Sequence, residues 1–330
     1  MAASTTLGEA LAAGDRRALA RAITLVESTR PDHRAEAREL LASLPPRQPP
    51  ALRVGLTGTP GVGKSSFIER LGLMLTERGS RIAVLAVDPS SARTGGSILG
   101  DKTRMERLAR SQSAFVRPSP SNSALGGVGR RTRETIRLVE AWGAGLVLVE
   151  TVGVGQSETM VAEMTDIFVL LLAPAGGDEL QGVKRGIMEM ADLIFVNKAD
   201  GELKPEAERT RADYAGALGL LRPRPGDPEG YPRALCVSAR TGDGFDAAWQ
   251  AVEALAAARR ESGAWDARRR DQDVAWFAHA VETGLFARLA ADGDLARRRA
   301  ALIEDVAAGR KAPEAAAEAL LDAILPRRTP

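Results

Sequence analysis

The chain has 330 residues, of which 44% are hydrophobic and 27% are charged. Lysine and arginine number 45 and aspartate and glutamate 43, so the net charge of +2 does not predict a nucleic-acid partner. One cysteine excludes an internal disulfide framework, and two histidines argue against a transition-metal site. No apolar run is long enough to span a bilayer and the N-terminus lacks a signal core, so we expect a cytoplasmic protein without a membrane partner.

Three regions follow one another along the chain. Residues 1–44 read as a helix that the stretch LPPRQPP ends, which predicts a helical segment and linker over 1–50. Residues 51–258 alternate short apolar runs with helix-length segments and predict one globular domain. Residues 259–330 predict a C-terminal helical extension, for which we expect a role in dimerisation. Its arginine runs, 268–270 and 297–299, have acidic neighbours and indicate a solvated helix face or an interface more than RNA contact.

The middle region predicts an α/β fold. Its seven apolar runs do not alternate with polar residues, so we expect strands buried on both faces of a mostly parallel central sheet flanked by helices. In such sheets ligands bind at the carboxyl ends of the strands. The runs are RVGLTG, RIAVLAVD, AFVRPS, GLVLVET, DIFVLLLAP, DLIFVNKAD and ALCVSAR.

A phosphate-binding loop is predicted directly after the first strand, where GTPGVGKSS matches G-x-x-x-x-G-K-S. Glycines let backbone N–H groups turn toward phosphate oxygens, and the helix that follows adds the positive end of its dipole. We expect Lys64 to bridge the β- and γ-phosphates and the Ser65 hydroxyl to bind Mg²⁺. The predicted phosphate-contacting residues are Gly58, Pro60, Gly61, Val62, Gly63, Lys64, Ser65 and Ser66. A chance glycine-rich turn is the alternative.

A guanine-selecting loop is predicted at NKAD, residues 197–200, which ends the apolar run DLIFV. The Asp200 carboxylate can accept hydrogen bonds from guanine N1–H and N2–H₂, whereas adenine presents an unprotonated N1 there. Lys198 is expected along the purine plane, and Asn197 is expected to join this loop to the phosphate loop. The segment VSAR then supplies Ser238 and Ala239 beside the guanine oxygen. GTP and GDP are therefore the predicted nucleotides.

Two aspartates are candidate Mg²⁺ ligands beside Ser65. Asp88 ends the run AVLAVD, and Asp101 lies in the glycine-rich stretch GGSILGDKTRM. Mg²⁺ prefers octahedral oxygen ligands and keeps several waters, so either carboxylate can act directly or through water. The alternatives are a turn residue before Pro89 and a helix N-cap at Asp101.

The stretch ETVGVGQSE, residues 150–158, resembles the second switch of a GTPase, where a strand ends in D-x-x-G. Here the acid is Glu150, which we expect near the Mg²⁺ shell, and Gly153 is expected to offer its N–H to the γ-phosphate. Gln156 lies three residues past Gly153 instead of one, so we expect a poor hydrolase until a partner positions it. The loop GGDELQGVKRG, residues 176–186, offers Lys184 as a further cation for the γ-phosphate, although an ordinary charged helix start fits equally well.

Together these motifs resemble one family, the methylmalonyl-CoA mutase-associated GTPases, which also carry an older label of arginine/ornithine transport ATPase. The likeness is dense between about Leu52 and Asp200 and includes RPSPSNSALGGVGRRTRET as well as the motifs above. The resemblance implies a homodimeric GTPase chaperone that binds an adenosylcobalamin-dependent acyl-CoA mutase and gates cofactor loading, protection and reactivation. It also implies that the mutase stimulates hydrolysis, with Asp88, Asp101 and Glu150 in the Mg²⁺ and switch apparatus and Gln156 and Lys184 in the second and third switches.

Two other classes of protein share some of these motifs. A nickel-insertion GTPase also uses a phosphate loop and a base-selecting loop, but such proteins usually need cysteine and histidine ligands. A small-molecule kinase or transport ATPase would also use the phosphate loop. Against it, the NKAD loop favours GTP, and the sequence contains no membrane-spanning segment. The partner mutase is not fixed, because the motifs do not distinguish methylmalonyl-CoA mutase from isobutyryl-CoA mutase.

Overall fold

The computed structural model describes residues 6–45, 48–87, 105–117, 125–151, 157–174 and 185–324, without the side chains of residues 125–127, 185 and 290. The chain divides into two compact units, Met1–Arg270 and Asp271–Pro330. The first unit contains the sheet and all of the candidate nucleotide-site residues that the structure describes. No helix of the described residues is long and apolar enough to cross a membrane.

A seven-stranded sheet forms the centre of the first unit, and each of the seven predicted strands is present. Its order is β3-β2-β4-β1-β5-β6-β7, and every described pairing is parallel. The predicted α/β fold with a parallel sheet is therefore confirmed. The strands are β1 (Leu52–Thr57), β2 (Ile82–Val87), β3 (Ala114–Arg117), β4 (Leu146–Thr151), β5 (Ile167–Leu172), β6 (Leu193–Val196) and β7 (Arg233–Cys236).

Helices cover both faces of the sheet. Strands such as β2 and β5 are apolar and buried at every position, so both faces need to be covered. One core cluster joins the sheet to α4 and α10, and a second joins the other face to α1–α3 and α6. The described helices are α1 (Leu7–Ala12), α2 (Arg16–Glu27), α3 (Pro31–Ser43), α4 (Lys64–Glu77), α5 (Glu106–Arg110), α6 (Leu125–Ala141), α7 (Ser157–Ala162), α8 (Arg185–Met190), α9 (Lys204–Leu218), α10 (Phe245–Glu261), α11 (Ala264–Ala291), α12 (Gly293–Ala307) and α13 (Pro313–Ile324).

The N-terminal region is three helices, so the prediction of one helix over residues 1–44 was wrong. Gly14 ends the first with φ of +84°, and the Asp15 carboxylate caps the second by accepting from Arg17 N at 2.6 Å and Ala18 N at 3.2 Å. Pro31 begins the third, where its missing N–H costs nothing. These helices bury Leu19 and Ile23 in the core beneath the sheet.

Buried ion pairs line the amino edge of the sheet. Asp192, which precedes β6, is fully buried; it accepts from Arg259 at 2.5 Å and also pairs with Arg224. Asp166, which precedes β5, accepts from Arg269 at 2.7 Å through both carboxylate oxygens. Because Arg259 belongs to α10 and Arg269 to the first turns of α11, these pairs hold both helices to the strands. The residues at 268 and 269 are therefore internal contacts of the first unit and not a solvated face.

The second unit is helical, as the sequence predicts. It contains the greater part of α11, then α12 and α13. Asp292 caps α12 by accepting from Asp294 N at 2.9 Å and Leu295 N at 3.0 Å. The described part of α11 exposes a row of large apolar side chains at helical spacing, Val274, Phe277, Val281 and Leu285, with Phe286 beside them.

Candidate nucleotide site

The loop from Gly58 to Gly63 joins β1 to α4 at the carboxyl edge of the sheet. A Cβ at Gly58 would lie 2.3 Å from the Leu171 carbonyl oxygen, so only glycine fits against β5. Gly63 has φ of +91° and precedes the first turn of α4, and a Cβ there would lie 2.7 Å from Asn197 Nδ2. The backbone is therefore curled as a phosphate-binding loop requires.

Lys64 lies over this loop from the first residue of α4. Its ammonium donates to Gly58 O at 2.6 Å and Thr59 O at 3.2 Å, which places the positive charge across the mouth of the loop. Ser65 follows at the helix start and is half-buried. Of the other residues predicted to contact phosphate, Pro60, Gly61 and Ser66 are exposed and Val62 is buried. The loop and helix N-terminus together present N–H groups and one ammonium to an anion.

Asn197 connects the phosphate loop to the predicted guanine loop. It follows β6, is 1% exposed, and its side-chain amide donates to Val62 O at 2.9 Å. The amide oxygen accepts from Ala239 N at 3.1 Å, so one side chain fixes three segments. The next residue, Lys198, is exposed and has a φ of +60°, a conformation that non-glycine residues rarely adopt and that turns this loop sharply.

Asp200 is brought together with Ser238, as a base-selecting site requires. Its carboxylate accepts a hydrogen bond from the Ser238 hydroxyl and pairs with the guanidinium of Arg240. The hydrogen bond from Ser238, together with Arg240, holds the pKa of Asp200 below its usual range, so the group is an ionised acceptor at neutral pH. Ser238 is itself fully buried and accepts from Thr241 N at 3.1 Å. Asp200 thus presents an ionised, positioned carboxylate.

Glu150 lies at the carboxyl end of β4, between Leu56 of β1 and Ala86 of β2. It is 2% exposed, so its carboxylate is buried beside the phosphate loop's own strand. Beside it, the hydroxyls of Thr57 and Thr151 share a hydrogen bond of 2.9 Å that joins the ends of β1 and β4. The other predicted metal and switch residues, Asp88, Asp101, Gly153, Gln156 and Lys184, lie outside the described residues.

Two contacts of the site were missed by the sequence analysis. Arg240 pairs with Asp200, the predicted base-selecting residue, and its position directly after Ser238 and Ala239 was the available signal. Thr57 and Thr151 gave no signal, because a threonine at the end of an apolar run is common in strands. Cys236 ends β7 near this region; burial raises the pKa of its thiol to about 11, so it is not a reactive thiolate at neutral pH.

This parallel sheet, with a glycine loop before α4 and a carboxylate loop after β6, defines a P-loop GTPase. Residues 19–294 match the family model described as methylmalonyl Co-A mutase-associated GTPase MeaB, and the chain belongs to this family. It is therefore a GTPase of that family, as the sequence predicted.

Relatives and a solved structure agree with this assignment. A probable GTPase of Mycobacterium tuberculosis is 51% identical over 316 residues, covering 96% of this chain and 94% of that protein. The mitochondrial methylmalonic aciduria type A homolog of Mus musculus is 45% identical, covering 96% of this chain and 78% of its own length. The solved structure of an LAO/AO transport system kinase is 38% identical, covers 96% of each chain and has a TM-score of 0.73.

Proposed function

We propose that this GTPase binds an adenosylcobalamin-dependent acyl-CoA mutase, with methylmalonyl-CoA mutase as the first candidate, and gates the loading, protection and reactivation of its cofactor. The match to a mutase-associated family over residues 19–294 carries the proposal, because it includes the nucleotide site and the start of the second unit. The similarity to a methylmalonic aciduria type A homolog supports the same partner.

Within this function, the described residues have distinct tasks. Lys64 and the N–H groups of its loop hold the β- and γ-phosphates, and Asp200 with Ser238 and Ala239 selects guanine. Asn197 keeps the two subsites at a fixed distance, because its side chain contacts both loops. A lone chain is then expected to bind GTP in a defined pose and to hydrolyse it slowly.

We propose a magnesium site at the carboxyl edge, supported by the chemistry of its oxygen donors. Ser65 is half-buried at the start of α4, and Glu150 is a buried carboxylate on the neighbouring strand end. Ser65 and Glu150, with Asp88 and Asp101, are the proposed ligands, either directly or through water. When bound, the ion would neutralise charge on the β- and γ-phosphates. Gly153, Gln156 and Lys184 are proposed to reach the γ-phosphate only when the mutase docks.

The mutase partner is tested by copurification and by the GTPase rate measured with each candidate mutase. Tagged full-length chain is mixed with methylmalonyl-CoA mutase or isobutyryl-CoA mutase in GDP or in a non-hydrolysable GTP analogue. We expect one mutase to be retained in a nucleotide-dependent way and to raise the hydrolysis rate. Gln156→Ala is expected to lose most of that stimulation while keeping the basal rate. Equal rates with and without every mutase would contradict the proposal.

The apolar row on α11 supports a homodimer. Val274, Phe277, Val281 and Leu285 are between 43% and 70% exposed, and Phe286 beside them is 70% exposed, so one helix presents a large apolar surface to water. We propose that a second copy of the chain covers this row. Phe277→Asp is expected to shift the sedimentation of the protein toward the monomer. Leu220→Asp, at an 88% exposed leucine in the first unit, is the matched control and should leave the dimer intact.

A further inference from the structure

Arg131 in α6 is buried, and among the described residues its Nε has no hydrogen-bond partner. The residue is 7% exposed, and none of the described hydrogen bonds or ion pairs involves its guanidinium. A buried N–H donor of this kind is expected to have an acceptor, because buried polar groups are almost always hydrogen-bonded.

A small cavity lies against this guanidinium, at the carboxyl half of β2 and β3. Its volume is about 10 Å³, and it is lined by Arg131, Thr132, Thr135, Glu27 and Arg117 with two residues of β2. This is the space of one water molecule, or of one oxygen atom of a larger group. Thr132 donates its hydroxyl proton to Val128 O at 2.9 Å. The remaining side-chain donors of the lining are therefore Arg131, Arg117 and Thr135.

Glu27 in the cavity lining and Glu134 of α6 both form ion pairs with arginines. Glu27 accepts from Arg117 through both oxygens, and Glu134 accepts from Arg34 at 2.8 and 3.0 Å. Arg130 lies 3.9 Å from the same Glu134, and its Nε has no partner. Among the described residues, three arginines therefore share these two carboxylates, and Arg131 pairs with neither. Burial, with repulsion from Arg34, lowers the pKa of Arg130, as expected where positive charge is in excess.

We propose that Arg131 is the floor of a second anion site, in which one oxygen of a phosphate or carboxylate group enters the cavity beside Arg117. The Arg117 side chain is 35% exposed and can approach the rest of such a ligand. Arginine suits this task because its fork of donors matches an oxyanion. Arg131 belongs to the helix layer on the sheet face opposite α4, the helix that carries Lys64 and Ser65.

The test is thermal unfolding of the full chain with saturating GDP and Mg²⁺, so that the phosphate loop is filled. Inorganic phosphate, acetate and chloride are compared at equal ionic strength. We expect phosphate or acetate to raise the unfolding temperature of the wild type in a saturable way, because a ligand of the folded state stabilises it by mass action. The arm that responds identifies the oxyanion; no response in either arm overturns the proposal.

Arg131→Met is the informative variant, and Arg38→Met is its control at an exposed arginine of α3. Arg131→Met should lose at least about tenfold in apparent affinity for the anion, a difference of about 1.4 kcal/mol, and Arg38→Met should bind as the wild type does. Equal responses in all three proteins would mean an adventitious ion only. In chloride, Arg131→Met should be no less stable than the wild type; a clear fall would mean that the guanidinium already has a partner, and would overturn the proposal.

Arg131→Lys tests the same anion site if Arg131→Met does not fold. It retains the positive charge and loses the planar fork of donors. We expect wild-type stability in chloride and weaker binding of phosphate or acetate. Unchanged affinity in this variant would contradict a site built on the guanidinium.

Discussion

The two edges of the sheet use buried polar groups in opposite ways. At the amino edge, Asp166 and Asp192 are almost fully buried and each is held by arginines from α10 or α11. At the carboxyl edge, Asn197 and Lys64 contact backbone carbonyls of loops, at 2.9 and 2.6 Å. Charges at the amino edge are paired with each other and stabilise the fold. Polar groups at the carboxyl edge instead shape the phosphate loop and the predicted guanine loop, where Asp200 pairs with the exposed Arg240.

The largest expected effect is that of a substitution at Asp200, at the carboxyl edge. Asp200→Asn should reverse base preference, because an amide cannot accept from both N1–H and N2–H₂ of guanine. Discrimination of about 10⁴-fold between GTP and xanthosine triphosphate should be lost or inverted. Competition binding with the two nucleotides measures this, with Asp213→Asn at an exposed position of α9 as the control. An unchanged preference would refute the base-selecting role, and a large fall in stability would place Asp200 with the structural carboxylates.

At the amino edge, Arg259→Met should cost about 3–5 kcal/mol in the free energy of unfolding, since it leaves Asp192 and Asp227 as buried carboxylates without this partner. Urea unfolding of the full chain measures the loss. Arg260→Met is the matched control on the same turn, because Arg260 is exposed and stacks on Trp265 with its guanidinium 4.3 Å from the ring centre. GTP affinity of the folded Arg259→Met protein should not change. A selective loss of GTP affinity would contradict a purely structural role for the amino-edge ion pairs.

Lys64→Ala should reduce the GTP hydrolysis rate by about 10²–10³, the usual cost of removing one preorganised group that binds developing charge. The unfolding temperature should change little, because the ammonium donates to carbonyls of its own loop, those of Gly58 and Thr59. Single-turnover hydrolysis with and without the mutase gives the rate. Lys204→Ala, at an exposed lysine of α9, serves as the control. A strong loss of stability without a loss of rate would make Lys64 a structural residue.

The smallest effect concerns pH. Burial alone would raise the pKa of Asp192, but Arg259, Arg268 and Arg224 more than offset it, so that the pKa lies below its usual value. A depressed carboxylate pKa contributes stability above the unfolded value near 3.9 and loses it as pH falls through the folded value. The stability difference between the wild type and Asp192→Asn should therefore stay constant from pH 8 to about 5 and shrink only below about pH 4. A difference that shrinks near pH 6 would contradict this.

Much of the fold was readable in the sequence, because seven apolar runs without alternation predict buried parallel strands and each run became one. The sequence motifs pointed to Gly58, Lys64 and Asp200, and the structure places all three at the carboxyl edge, while their roles stay predictions. The division of the N-terminal region into three helices was missed, although Gly14 and Pro31 mark the breaks. The amino-edge pairs were also missed, because Arg259 and Asp192 are 67 residues apart and only the tertiary fold brings them together. The domain boundaries and the cytoplasmic location stay predictions.

The Asn197 bridge has a consequence for how such chains diverge. Its amide reaches Val62 across 135 residues of sequence, yet in the sheet β1 and β6 are separated only by β5. Insertions or deletions in the intervening segments leave this distance unchanged as long as that strand order is kept. Evolution can therefore lengthen, shorten or replace the loops between the two motifs without altering how phosphate and base are held. Searches for distant members of the family should fix the strand order and let the motif spacing vary.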